Sequence, residues 1–158
     1  MIQVPQSPIA KLSHESGSGP AIPPPFRDLR LRKHADYQRV YQATRKQFSQ
    51  SMTWFVSPRG EQPVGGEKRA IPAAPKGPRV GLTAGKVLGK AHERNRIKRR
   101  LREIVRRHAQ ELPDGTDLIL HPKRSVMTMD FVKLEAEVLR IFRQAAGQVR
   151  AAKARAGA

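Results

Sequence analysis

The densest concentration of charged side chains lies in residues 86–107, which read KVLGKAHERNRIKRRLREIVRR. Ten of these residues are Lys or Arg and two are Glu, so the segment carries a local charge of +8. Arginine suits phosphate because its planar guanidinium can donate to two oxygens at once and can also stack on exposed bases. Two Glu cannot neutralise ten cations, so we favour a surface that binds an external polyanion over a solvated helix held by its own salt bridges.

The spacing of apolar residues in this segment predicts an amphipathic helix. At about 100° per residue, one side carries Ile97, Leu101, Ile104 and Val105. The opposite side is polar and is expected to face outward: it carries Asn95, Arg96, Arg99, Arg102 and Arg106. Arg94 has the bearing of the apolar side but lies a turn before Ile97, so we expect it to emerge at the helix N-terminus, beyond the sheet edge.

Shorter segments on either side have the patterns of further helices and strands. Residues 35–43 predict a short helix with Tyr37, Val40 and Tyr41 on one face. Residues 51–56 alternate as a strand does, with Trp54 facing the core and Phe55 on the other face. Two more strands are predicted at 79–83 and 117–120, and a helix at 131–142. These elements predict an α+β two-layer sandwich: a small sheet with helices on one face.

The composition limits the function classes. The chain has 158 residues, 31 Lys and Arg against 13 Asp and Glu, a net charge of +18 and no Cys. These values favour one nucleic-acid-binding domain and exclude disulfides and thiolate sites. No apolar run is long enough to span a bilayer, and the N-terminus lacks the pattern of a secretory signal, so we expect a cytoplasmic protein.

We predict three further features of chain organisation. Residues 1–26 form a disordered tail, 27–146 the folded domain, and 57–78 a flexible loop rich in Pro and Gly. Residues 147–158 form a basic, Ala-rich C-terminal tail that either continues a helix or frays.

No residue pattern indicates catalysis by the chain itself. A metal-dependent nuclease needs clustered carboxylates, but the acids are scattered, and Glu135 and Glu137 point to different sides of a helix. The His residues show no ligand spacing, and each is expected at the surface or its boundary; they are His14, His34, His92, His108 and His121. A nuclease that acts without an RNA subunit is therefore disfavoured.

Three ordered blocks resemble the bacterial ribonuclease P protein component. The first block comprises RVGLT at 79–83, then Lys86, Gly89 and Lys90-Ala91, followed by RNRIKR at 94–99. It is similar to the family's V-G-(L/F)-(S/T) strand, which is followed by an Arg-Asn-Arg helix. The second, DYQRVY at 36–41, resembles the family's D-F-x-x-V-F helix. The third, DLIL at 117–120, lies where the family has its last strand. The chain departs from the family pattern at three positions. Val87 stands where the family usually has a cationic residue, and Tyr37 and Tyr41 stand where it has Phe.

The resemblance implies a fold, a partner RNA and two binding surfaces. The fold would be a mixed sheet containing a left-handed βαβ crossover. The catalyst would be a large RNA that uses Mg²⁺ to remove the 5′ leader from precursor tRNA, and we expect no metal bound by this chain. The catalytic RNA would contact Arg94, Asn95, Arg96, Lys98, Arg99 and Arg102. The leader would lie in a cleft at Tyr37, Tyr41 and Phe55, with Arg79, Lys86 and Lys123 as phosphate partners.

Two alternatives remain open. The tyrosine pair could be core, since aromatic residues at i and i+4 of a helix usually are. The whole chain could be a structural RNA-binding protein, of ribosomal or RNA-chaperone type, with no role in processing.

Overall fold

The computed structural model describes residues 22–59 and 77–157. Residues 1–21 of the predicted N-terminal tail and residues 60–76 of the predicted loop at 57–78 lie outside these ranges. Where the tail and the loop are described, they differ from the prediction: Phe26 begins a helix, and residues 57 and 58 belong to a strand.

The described ranges contain helices and strands in mixed order. The helices are α1 (Phe26–Leu29), α2 (His34–Ala43), α3 (Ala91–His108) and α4 (Phe131–Ala156). The strands are β1 (Gln47–Phe48), β2 (Met52–Pro58), β3 (Arg79–Leu82) and β4 (Thr116–Pro122). Short 3-10 turns occupy Lys86–Leu88, Ala109–Glu111 and Arg124–Met127.

The four strands form one mixed sheet in the order β1-β2-β4-β3. Strands β1 and β2, and β2 and β4, are antiparallel, whereas β3 and β4 are parallel. A parallel pair needs a crossover connection, and α3 supplies it between β3 and β4. The predicted α+β architecture with a small mixed sheet is confirmed.

The two faces of the sheet are covered differently. Met52, Trp54 and Val56 of β2 are buried in a core that also holds the apolar side chains of α3 and α4. The expectation that Trp54 is core is therefore confirmed. Phe55 points to the other face and packs in a smaller cluster with residues of α2. The two long helices thus share one face, and the short α2 lies on the other. The prediction of helices on one face therefore holds for the long helices only, and α2 is on the face where the cleft was predicted.

Helix α4 is more than twice as long as the predicted segment at 131–142. Ala145, Ala146 and Val149 are buried, so the helix continues to pack beyond Gly147 rather than ending in a separate tail. Lys153 Nζ donates to the carbonyl oxygen of Asp114 at 2.6 Å, which also holds this last part of α4 against the chain before β4. Alanine at buried positions gives a weak apolar signal, which is why the pattern ends early in the sequence.

Gly81 in β3 allows the closest approach between α2 and the sheet. A Cβ atom at this position would lie 2.6 Å from Tyr37 Oη and 2.8 Å from Cζ of the same ring. The ring cannot move away freely, because its hydroxyl donates to the Leu31 carbonyl at 3.3 Å. Glycine at this point of the V-G-L strand is therefore a packing requirement.

We predict that Gly81→Ala lowers the free energy of unfolding by about 1–3 kcal/mol, because the new methyl group overpacks the contact with Tyr37. The matched control is Gly147→Ala in helix α4, where nothing lies within 4 Å of the added Cβ. This second change should raise stability by about 0.5–1 kcal/mol through helix propensity. Urea unfolding of both variants measures the two values, and a Gly81→Ala protein as stable as the wild type would contradict the packing argument.

Candidate nucleic-acid interface

Helix α3 buries one side and exposes the predicted polar side. Ile97, Leu101, Ile104 and Val105 are fully buried. Four of the predicted contact residues are exposed on the other side: Asn95, Arg96, Arg99 and Arg102. A fifth, Lys98, is partly buried. The predicted amphipathic helix is thus observed, with its cations available to an external anion.

Two cations of this segment, Arg94 and Arg100, are partly buried in the protein. Arg94 is only partly exposed, and its Nε is buried, so it presents less of its side chain to an external anion than Arg96 does. Arg100 donates to backbone carbonyls of Val126 and Met129 and so fixes the turn before α4. The outward cationic face is therefore smaller than the count of ten cations suggests.

Glu103 neutralises part of the C-terminal end of α3. It accepts hydrogen bonds from Arg106 and Arg107, and these bonds lower the pKa of its carboxyl group. The exposed arginines that Glu103 does not pair with, Arg96, Arg99 and Arg102, lie in the middle of α3.

The three predicted aromatic residues of the cleft lie together. The Tyr41 and Phe55 ring centroids are 4.9 Å apart in an edge-on arrangement, and the Tyr37 and Tyr41 centroids are 6.4 Å apart. All three rings are partly buried. Helix α2 and strand β2 therefore build an aromatic surface that is neither fully core nor free in solvent.

The two tyrosines differ in their surroundings. Tyr37 packs on Gly81, and burial, followed by the nearby Tyr41, raises the pKa of its phenol. Tyr41 lies one turn further along α2, beside Phe55. The core alternative thus fits Tyr37 better, while Tyr41 is the better candidate for contact with a ligand.

His121 belongs to the same cluster. Its Nε2 lies 2.9 Å from Tyr41 Oη, and its ring centroid is 5.6 Å from that of Phe55. Burial, and then the charge of Lys46, lower the pKa of this imidazole below its usual value, so the ring is mainly neutral at pH 7. Sequence reasoning placed His121 only at the surface boundary, although its position two residues after Ile119 on β4 puts it on the cleft face.

The two lysines predicted beside the cleft are exposed. Lys86 follows the end of β3, and Lys123 follows the end of β4. Parallel strands have their C-terminal ends at the same end of the sheet, so both lysines lie beyond that end. Lys123 Nζ also donates to the Ser49 carbonyl at 3.2 Å, which places this ammonium group beside the turn between β1 and β2.

Arg79, predicted as a phosphate partner, is paired with two acids of the protein itself. Its Nε and Nη2 donate to the carboxylate of Asp117 at 2.9 and 2.8 Å, and its Nη1 donates to Asp36 at 3.1 Å. Hydrogen bonds and charges from these two acids raise the pKa of Arg79 despite the opposing effect of burial, which is the largest single contribution. The side chain is an internal anchor between α2 and the sheet, and each of its three nitrogens donates to a carboxylate of the protein.

Asp117 is the centre of this ion network. Its side chain is fully buried, and it accepts a hydrogen bond from Arg39 of α2 in addition to those from Arg79. Arg59 Nε lies 3.7 Å from the same carboxylate. Sequence reasoning missed this network, since nothing in the pattern of a buried strand marks one carboxylate as a partner of several arginines.

Within residues 22–59 and 77–157, no three His, Cys, Asp or Glu are grouped so that they could hold a metal ion. In the same ranges, no helix is both long and apolar enough to cross a membrane.

Comparison with known proteins agrees with this geometry. A family model described as Ribonuclease P matches residues 26–146. The chain belongs to the ribonuclease P protein family. The ribonuclease P protein component of Chloroflexus aggregans is 35% identical over 117 residues, which cover 73% of this chain and 76% of that protein. That of Finegoldia magna is 30% identical over 122 residues, covering 77% of this chain and 95% of the relative.

Solved structures of ribonuclease P proteins share the fold. The protein from Staphylococcus aureus gives a TM-score of 0.59 at 22% identity, with 74% of this chain and 94% of that chain covered. The protein from Thermotoga maritima gives 0.58 at 22% identity, with 73% and 96% covered. The family match ends at residue 146, whereas α4 continues to Ala156, so the last part of this helix lies beyond the matched region.

We predict that Asp117→Asn lowers the free energy of unfolding by about 3–5 kcal/mol, because it leaves buried guanidinium groups without their counter-charge. The matched control is Glu103→Gln, which removes an exposed carboxylate that also pairs with two arginines. An exposed pair of this kind contributes about 0–1 kcal/mol. Urea unfolding of both variants compares the two sites, and equal losses would show that Asp117 is not the anchor of α2.

Proposed function

We propose that this chain is the RNA-binding protein subunit of ribonuclease P, which supports endonucleolytic removal of the 5′ leader from precursor tRNA. Membership of the ribonuclease P protein family is the observation that carries the proposal. The exposed Arg-Asn-Arg face of α3 and the aromatic cleft beside α2 supply two surfaces suited to RNA. On this proposal the protein acts in the cytoplasm with its RNA partner.

The catalytic RNA is proposed to bind the outward face of α3. Arg96, Arg99 and Arg102 are exposed on a helix whose other side is buried, so their guanidinium groups can meet phosphates without disturbing the core. Catalysis belongs to the RNA subunit and its Mg²⁺ ions in this proposal. In this proposal the residues of α3 bind and orient the RNA.

The single-stranded leader is proposed to bind in the cleft. Aromatic rings beside cations stack on unpaired bases without requiring a particular sequence. Tyr41 and Phe55 supply the rings, and Lys86 and Lys123 supply exposed charges near one end of the sheet. Because α3 and α2 pack on opposite faces of the sheet, the subunit can contact the catalytic RNA and the leader at the same time.

We predict that Arg96→Ala weakens assembly with the ribonuclease P RNA and makes its salt dependence shallower. Each lost phosphate contact reduces the slope of log affinity against log salt concentration by about 0.7–0.9. The matched control is Arg143→Ala, an exposed arginine on α4 outside the proposed surface. Filter binding over a salt series gives both slopes, and an unchanged slope in a folded Arg96→Ala protein would exclude the contact.

We predict that Tyr41→Ala weakens binding of precursor tRNA to the assembled holoenzyme while leaving binding of mature tRNA nearly unchanged. A lost base stack costs about 1–3 kcal/mol, or about five- to a hundredfold in affinity. Tyr41→Phe is the control: it loses the hydroxyl near His121 but keeps the ring, so it should retain most of the affinity. Similar losses for precursor and mature tRNA would show instead that Tyr41 acts only through folding, as the alternative of a core tyrosine pair requires.

A further inference from the structure

Phe48 is a large aromatic side chain that the fold leaves in solvent. It lies on the edge strand β1, and 70% of its surface is exposed. A single exposed apolar residue is common in proteins and needs no explanation by itself. Its position relative to the cleft is what distinguishes Phe48.

The strand register places Phe48 on the cleft face of the sheet. Phe48 is opposite Thr53 on β2, and Thr53 is opposite His121 on β4. Residues directly opposite each other project from the same face, so the three side chains form one row across the sheet. The neighbouring residue Gln47 confirms this orientation, because its side chain exchanges hydrogen bonds with Gln148 of α4 on the other face.

This row continues the aromatic cluster beyond helix α2. His121 contacts both Tyr41 and Phe55, and Phe48 lies about 10 Å from His121, which is two strand spacings. Helix α2 ends at Ala43, before the chain reaches β1. The surface above Phe48 therefore remains open, in contrast to the partly buried rings beneath α2.

One cation lies beside this open ring, and a second lies beside the residue that follows it. Lys46 Nζ lies 5.6 Å from the Phe48 ring centroid, and its charge also acts on His121. Lys123 Nζ contacts the Ser49 carbonyl, one residue after Phe48. In the part of the chain that the structure describes, neither lysine forms an ion pair with an acidic side chain. An exposed ring beside positive charges suits an unpaired, negatively charged strand better than an apolar peptide.

The ring is held on a well-supported turn. The buried carboxylate of Glu137 accepts hydrogen bonds from the backbone N–H of Ser51 at 2.8 Å and from the Ser51 hydroxyl at 2.5 Å, and the Ser49 hydroxyl donates to it as well. Burial acts to raise the pKa of Glu137, but these hydrogen bonds outweigh that effect and lower it, so the carboxylate stays ionised at neutral pH. The turn that follows Phe48 is thus fixed to α4, so the backbone that carries the ring is already ordered before a strand binds.

We propose that Phe48, with Lys46 and Lys123, forms an additional base-stacking position for single-stranded RNA that extends the cleft past Tyr41 and Phe55. This proposal rests on the proposed function, because the strand it binds is the leader of precursor tRNA. It adds a nucleotide position whose recognition depends on stacking and charge rather than on base identity.

The test compares Phe48→Ala with the wild type in the holoenzyme reconstituted with its RNA. Binding of precursor tRNA with a long leader should fall by about five- to a hundredfold, while binding of mature tRNA stays unchanged. Phe48→Trp keeps a stacking surface and should restore the affinity. The matched control is Val132→Ala, since Val132 is 69% exposed on α4, which packs on the opposite face of the sheet from the cleft.

The outcomes separate this proposal from the proposed function. A wild-type holoenzyme that binds precursor and mature tRNA equally would contradict leader binding by the cleft altogether. A wild type that prefers the precursor, together with a Phe48→Ala variant that keeps the same preference, would overturn only the position at Phe48. An equal loss for precursor and mature tRNA in Phe48→Ala would also overturn it, and would indicate that the ring packs against another part of the chain.

Discussion

The buried carboxylate of Asp117 is the constraint on which the outer face of the sheet depends. A charge removed from water is tolerated only when it is paired and hydrogen-bonded, and Asp117 has no exposed surface. It therefore requires Arg79 from β3 and Arg39 from α2 at fixed positions. Asp36 accepts from Arg79 in turn, so two residues of α2 are tied to the sheet at one end of the helix.

The remaining geometry of the cleft follows from this attachment. Once the N-terminal half of α2 is held, Tyr37 must lie against β3, and only glycine at position 81 leaves room for its ring. One turn later, Tyr41 reaches Phe55 and His121. The helix is ten residues long, so it covers one end of the sheet face and leaves the other open. The ion network thus determines where aromatic surface is covered and where it stays accessible.

The sequence predicted those elements whose periodicity is strong and local. Helix α3, strands β2 to β4 and the grouping of Tyr37, Tyr41 and Phe55 could be derived from spacing, because each depends on which residues share a face. The role of Arg79 could not, since its partner Asp117 is 38 positions away and a cation beside an aromatic cleft is equally compatible with phosphate binding. The extent of α4 was missed because Ala145 and Ala146 are buried without being strongly apolar. The role of an ion-paired residue such as Arg79, and the burial of a weakly apolar residue such as Ala145, can thus be read only from the tertiary contacts.

The two surfaces proposed for RNA differ in what they can discriminate. The exposed arginines of α3 act mainly through phosphates, which every RNA presents, so their contribution is large, salt-dependent and weakly selective. The rings of the cleft need the flat face of a base, and a base within a duplex is already stacked on its neighbours. An aromatic row therefore selects unpaired strands even though it ignores their sequence. A protein with a net charge of +18 attracts any polyanion, so charge alone gives little selectivity. On the proposed function, it is the cleft face of the sheet that distinguishes a precursor with a single-stranded leader from the mature molecule that lacks one.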